Sequence, residues 1–185
     1  MIKILISAVS VLALVCLLNG PSQGAEIDAV ELVHRPELSV SFRVKDAFNE
    51  NIEEAVNSGV PTSFTFRVEL ARVRGLWFDK GSGGWEFRRT VKYDTLRQEY
   101  EVTMDEAGEN VVRTRDAVEM KRLMTTGTAI RLALERPLVE GAPYRLRIKA
   151  ELHTVRLPLF LDYVLFFVKL WDFETGWYNV NFTYR

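Results

Sequence analysis

Residues 62–74, TSFTFRVELARVR, decide how this chain folds. Phe64, Phe66, Val68 and Leu70 occupy alternate positions, with Ser63, Thr65, Arg67 and Glu69 between them. Successive side chains of a pleated strand point to opposite sides, so a period of two over this length marks a long β-strand with one buried face. Beyond Leu70 the phase slips by one, since Ala71 and Val73 are apolar while Arg72 and Arg74 are polar. A slip of that kind predicts a β-bulge, in which two residues of one strand oppose one of its partner. The stretch is expected to be the bent, central strand of an antiparallel sheet.

Upstream, residues 38–45 alternate in the same way, and residues 27–33 form a first strand, with Pro36 suited to the turn between them. Between residues 46 and 59 the period changes. Phe48, Ile52, Ala55 and Val56 fall on one face of a short helix, which Asp46 or Asn49 can cap and which Gly59 and Pro61 end. Downstream, Lys80-Gly81-Ser82-Gly83-Gly84 reads as a flexible loop between Phe78 and Trp85. Residues 86–92 and 98–104 read as a hairpin with Val91 opposite Tyr100, Phe87 opposite Met104 and Lys92 opposite Glu99. A short strand at Val111 and Val112 precedes a second helix over 115–125, capped by Thr114, lined by Ala117, Met120, Leu123 and Met124, and ended by Gly127.

Ile130, Leu132 and Leu134 alternate again, and residues 136–141 read as a turn region. The cleanest alternation sets Tyr144, Leu146, Ile148, Ala150 and Leu152 against Arg145, Arg147, Lys149 and Glu151. A last strand over 178–184 places Val180 and Phe182 inside. Eight or nine such strands with two short helical connections predict a mainly β fold, an antiparallel immunoglobulin-like β-sandwich forming one domain over residues 26–185.

Residues 1–25 have the layout of a secretory signal segment: Lys3, an apolar run over 4–18, the breaker Asn19-Gly20-Pro21, then small residues up to Ala25. The run is short for a membrane span, which needs about 20 residues. The expectation is an exported protein, periplasmic or membrane-associated in a bacterial envelope. The single cysteine, Cys16, lies within this leader. Without it the chain has no disulfide framework and must hold its fold by core burial. Loss of the leader removes Lys3 and no acid, taking the net charge from −1 to −2. Charges are interspersed, so the basic footprint of a nucleic-acid binder is not expected.

Residues 155–173, VRLPLFLDYVLFFVKLWDF, break the pattern, being apolar nearly all round. Three readings are open: a buried plug of the sandwich, an interaction surface on Leu157, Phe160, Phe166, Phe167, Trp171 and Trp177, or a lid over a small lipophilic ligand.

The order LPLF at 157–160, then Trp171, Asp172 and Trp177, together with EAVNSGVP at 54–61 and VKYDTLRQEY at 91–100, resembles the bacterial family catalogued as domain of unknown function 4390. The resemblance spans nearly the whole chain beyond the leader and implies an exported envelope protein, with no activity attached. Where that family's pattern has a short polar link, this chain has the apolar residues 163–170.

Chemistry is sparse. His34 and His153 are the only histidines, with no second ligand at metal spacing, so neither a metal nor another cofactor is expected. No nucleophile elbow occurs, and the carboxylate pairs Glu53-Glu54, Glu99 with Glu101, and Asp105-Glu106 read as a helix surface, cross-strand partners and a turn. Trp77, Phe78 and Trp85 read as packing, and Arg72, Arg74, Arg88 and Arg89 as a weak basic patch on neighbouring strands. The expectation is a non-enzymatic binding module that docks on a protein partner or the membrane face. The alternative is a carrier or sensor of a small lipophilic ligand with residues 157–173 as its lid.

Overall fold

A computed structural model of the 185-residue chain describes residues 24–74, 80–154 and 173–185. The described residues form ten strands and two helices in the order β1 (Glu26–Val33), β2 (Ser39–Lys45), α1 (Glu50–Asn57), β3 (Thr62–Arg72), β4 (Lys80–Asp94), β5 (Glu99–Met104), β6 (Asn110–Thr114), α2 (Ala117–Thr125), β7 (Thr126–Arg131), β8 (Pro143–Thr154), β9 (Phe173–Glu174) and β10 (Tyr178–Thr183). They make two antiparallel sheets, a small one in the order β1-β2-β7 and a large one in the order β10-β8-β3-β4-β5-β6, with β9 paired to β8. The signal segment and the apolar stretch 155–172 lie outside the described residues.

Strand β3 is central, as its alternation predicts, pairing with β8 on one side and β4 on the other. Its inward residues Phe64, Phe66, Val68 and Leu70 are all buried, and so are Tyr144, Leu146, Ile148, Ala150 and Leu152 of β8. The small sheet offers Val40, Phe42 and Val44 to the same core. Phe42 meets Phe66 at 5.2 Å between ring centroids, and Phe66 meets Phe87 of β4 at 5.2 Å. Helix α1 adds buried Ile52, Ala55 and Val56, with Asn49 capping its first turn by accepting from the Ile52 N–H at 3.0 Å.

Several expectations need correction. The Lys80–Gly84 run is strand, not loop: Gly84, Gly83 and Gly81 pair with Glu69, Leu70 and Ala71. The bulge at Leu70/Ala71 is real, but its extra residue is Ser82 of β4, while β3 runs in unbroken register against β8 through Arg72. The β4–β5 hairpin is shifted by two, pairing Val91 with Val102, Tyr93 with Tyr100 and Lys92 with Glu101. A shift of two keeps every side chain on its predicted face, whereas a shift of one would have inverted them. Helix α2 is capped by Asp116, whose side chain accepts from Val118 N–H at 2.8 Å; Thr114 Oγ1 instead accepts from Asp116 N–H, and Ala117 is exposed.

Gly127 does not stop the helix; it sits in β7 opposite Phe42, where a Cβ would lie 2.8 Å from the Phe42 and Ile130 side chains. Asp28 of β1 is held by Arg43 and then Lys45 of β2, whose hydrogen bonds bring its carboxyl down to about 2.

Arg88 and Arg89 point to opposite faces, so they form no common patch. Arg89 occupies an inward position between Phe87 and Val91 and is 3% exposed. Its Nε and Nη2 donate to Glu106 Oε1, and its Nη1 donates to the carbonyls of Leu123 and Thr126 at the end of α2. The guanidinium therefore supplies both an ion pair and a C-terminal cap, where a cation is favoured. Removing one member of a buried pair costs about 3–5 kcal/mol. Arg89→Met is expected to lower stability by about that much in urea unfolding, and the double change Arg89→Met with Glu106→Leu to recover part of it.

Both edge strands of the small sheet carry an extra residue, Ala29 in β1 and Ala129 in β7, at φ 49 and 48. A Cβ in the left-handed region costs roughly 1–2 kcal/mol, partly offset by glycine's greater entropy loss. Ala29→Gly and Ala129→Gly, both at exposed sites, are expected to raise stability by up to about 1 kcal/mol each in the same assay.

Candidate functional site

The local geometry at one end of the large sheet follows from the β4 bulge. Strand β3 leaves the sheet at Arg72, and Val73 N–H then bonds the Pro143 carbonyl at 3.0 Å, which carries the chain on to Arg74. Strand β4 enters beside it, with Ser82 bulged out of the ladder between Gly81 and Gly83. Gly83 has a second constraint: a Cβ there would lie 2.5 Å from the Trp85 ring, whose Nε1 donates to the Ala133 carbonyl at 3.0 Å. Trp85 is thus packing, as predicted, and it ties the strand to the segment after β7.

That segment, residues 135–139, closes a cleft of about 400 Å³ against the two strand ends and Tyr144. Arg72, Arg74 and Arg136 line it with a single carboxylate, Glu135. Several other described arginines are neutralised in place: Arg67 by Glu86, Arg113 by Glu101, Arg131 by Glu37 and Arg147 by Glu69. Arg72 and Arg136 have no such partner among the described residues. Tyr144 is 3% exposed; its hydroxyl oxygen accepts from Val139 N–H at 3.0 Å, which leaves the phenolic proton to donate. Guanidinium forks and a phenol around a concave floor suit a phosphate or carboxylate oxygen.

Two further clefts adjoin. One of about 380 Å³ lies on the other side of Gly81 and Gly83, between Glu69, Arg145 and Arg147. The other, of about 430 Å³, shares Pro137 and Leu138 with the arginine cleft and continues over Leu132 and Leu134 to Pro36 and Tyr184.

Of the predicted interaction surface, Trp177 is described and half-buried, on the outer face of β8. The Arg147 guanidinium lies 4.6 Å from its ring centroid and Lys149 Nζ 5.8 Å. A one-residue shift between β9 and β10 aims it there. Thr175 fills the gap, donating its N–H to the Ala150 carbonyl at 2.9 Å and accepting Ala150 N–H on Oγ1 at 3.0 Å. Leu157, Phe160, Phe166, Phe167 and Trp171 lie outside the described residues, as do Trp77 and Phe78.

Of the predicted basic patch, Arg72 and Arg74 come together and Arg88 and Arg89 do not. Arg136 was concealed in a stretch that reads only as a turn. His34 stacks on Phe182 at 5.8 Å between centroids. Among the described residues no group of three or more His, Cys, Asp or Glu side chains could hold a metal ion, and no helix is long and apolar enough to cross a membrane.

Thr175 is 3% exposed, so losing its hydroxyl would leave the Ala150 N–H buried and unpaired, at about 1–3 kcal/mol. Thr175→Val is expected to destabilise by that amount in urea unfolding, while Thr175→Ser, which keeps the acceptor, stays close to the parent.

No curated protein and no solved structure matches the chain. The family model described as Domain of unknown function (DUF4390) matches residues 22–181, which carry nearly all of both sheets, the arginine cleft and Thr175. The chain belongs to that family.

Proposed function

We propose that this is an exported, non-enzymatic binding module of the bacterial envelope, immunoglobulin-like in the arrangement of its two sheets, which docks on an anionic membrane face through its arginine cleft. The observation that carries the reading is the convergence of Arg72, Arg74 and Arg136 on one concavity with a single carboxylate among its walls. The leader pattern in residues 1–25 supports export. Two antiparallel sheets sharing one core support the sandwich. A headgroup phosphate suits three arginines and a buried phenol better than a broad protein surface does, because guanidinium groups lining one concavity match the oxygens of a single phosphate.

A basic side chain near an anionic bilayer contributes about 1 kcal/mol. Replacing Arg72 and Arg136 by glutamine is therefore expected to weaken co-sedimentation with phosphatidylglycerol-containing vesicles roughly 30-fold. Binding by the parent protein should fall as salt shortens the screening length, about 10 Å at 0.1 M. Equal binding to purely phosphatidylcholine vesicles, or an unchanged affinity in the double variant, would discard the reading.

A further inference from the structure

We infer that the ligand of this end of the molecule is a single-chain anionic amphiphile, its head on Arg72 and Arg136 and its chain along Leu134 and Leu138. The inference rests on reading the arginine cleft as an anion site and adds a second, apolar half to it. Two observations carry that half.

The first is continuity. Pro137 and Leu138 belong to the walls of both the arginine cleft and the apolar cleft, so the two clefts adjoin along this segment. The cavities measure about 400 and 430 Å³, and each falls within the roughly 300–1,000 Å³ of small-molecule sites.

The second is the division of charge. In the apolar cleft, Arg131 is bonded to Glu37 at 2.6 Å, so its walls carry no unanswered cation to be stranded by a hydrocarbon chain. In the arginine cleft, Arg72 and Arg136 have no carboxylate partner among the described residues, while the buried Tyr144 retains a donor. Leu132 makes a floor at 2% exposure, and half-buried Leu134 and Leu138 reach from it toward solvent. A polar head and an apolar chain joined at one point match this surface. A free phosphate would use only half of it.

Calorimetry on the full chain with octyl phosphate, inorganic phosphate and octyl glucoside, each below its micellar concentration, tests this. Burying one methylene tightens binding about fourfold, so octyl phosphate is expected to bind at least tenfold tighter than phosphate. Leu134→Asn, at a position lining the apolar cleft alone, should remove most of that gain while leaving phosphate affinity unchanged. Arg72→Gln with Arg136→Gln should weaken both anions. Leu134→Ala, a gentler change, serves as a second variant, and thermal unfolding reports whether each one folds. Octyl phosphate binding no tighter than phosphate would overturn the amphiphile and leave the anion site standing. Octyl glucoside binding as tightly as octyl phosphate would overturn the role of the charged head. If neither phosphate nor octyl phosphate binds, the anion site and the inference fall together.

Discussion

The contact between Phe42 and Phe66, carried on to Phe87, joins the two sheets, and the rest of the architecture depends on it. Phe42 and Phe66 are at most 2% exposed, and each comes from the middle strand of its sheet. Among the described residues there is no cysteine, so no disulfide shares the task. Truncating a buried Phe to Ala costs about 3–5 kcal/mol, a large part of the roughly 5–15 kcal/mol that a domain has. Gly127 belongs to the same constraint: Phe42 can reach Phe66 only because no Cβ stands across the small sheet from it.

Polar groups are arranged around that apolar centre in two ways. On the outer face of the large sheet, Arg67 and Arg147 pair with Glu86 and Glu69 at solvated positions where each pair is worth little, and the more enclosed Lys149 pairs with Glu174. Within the core, Arg89 is paired and hydrogen-bonded on every side that matters, because an isolated guanidinium there would be very costly. The arginine cleft follows neither pattern. Three arginines line it with one carboxylate, and Arg72 and Arg136 have no ion-pair partner among the described residues.

Much of this was legible in the order of residues. Period-two alternation identified β3 and β8 and the faces of their side chains, because burial on one side imposes parity along a strand. Parity also carried a warning that was missed: Arg89 stands in an apolar slot between Phe87 and Val91, the signature of an inward charge with a partner. The Gly81–Gly84 run misled, since its turn preference is overridden by pairing against β3 and the bulge at Ser82. The hairpin register slipped because aromatic and charge pairs could be satisfied two residues apart. The cleft could not be read at all from spacing. Arg72 and Arg136 are distant in sequence, and only the path of the chain over the sheet end brings them together.

The left-handed alanines on the rims of the small sheet carry a consequence for self-association. Fibril growth needs a straight rim whose open N–H and C=O groups an incoming chain can match in sequence. Ala29 and Ala129 each break that row near its middle, so a second copy would lose register within a few residues. Among the described strands, templated stacking on this side is disfavoured, and the rims left without such a residue are β6 and β10.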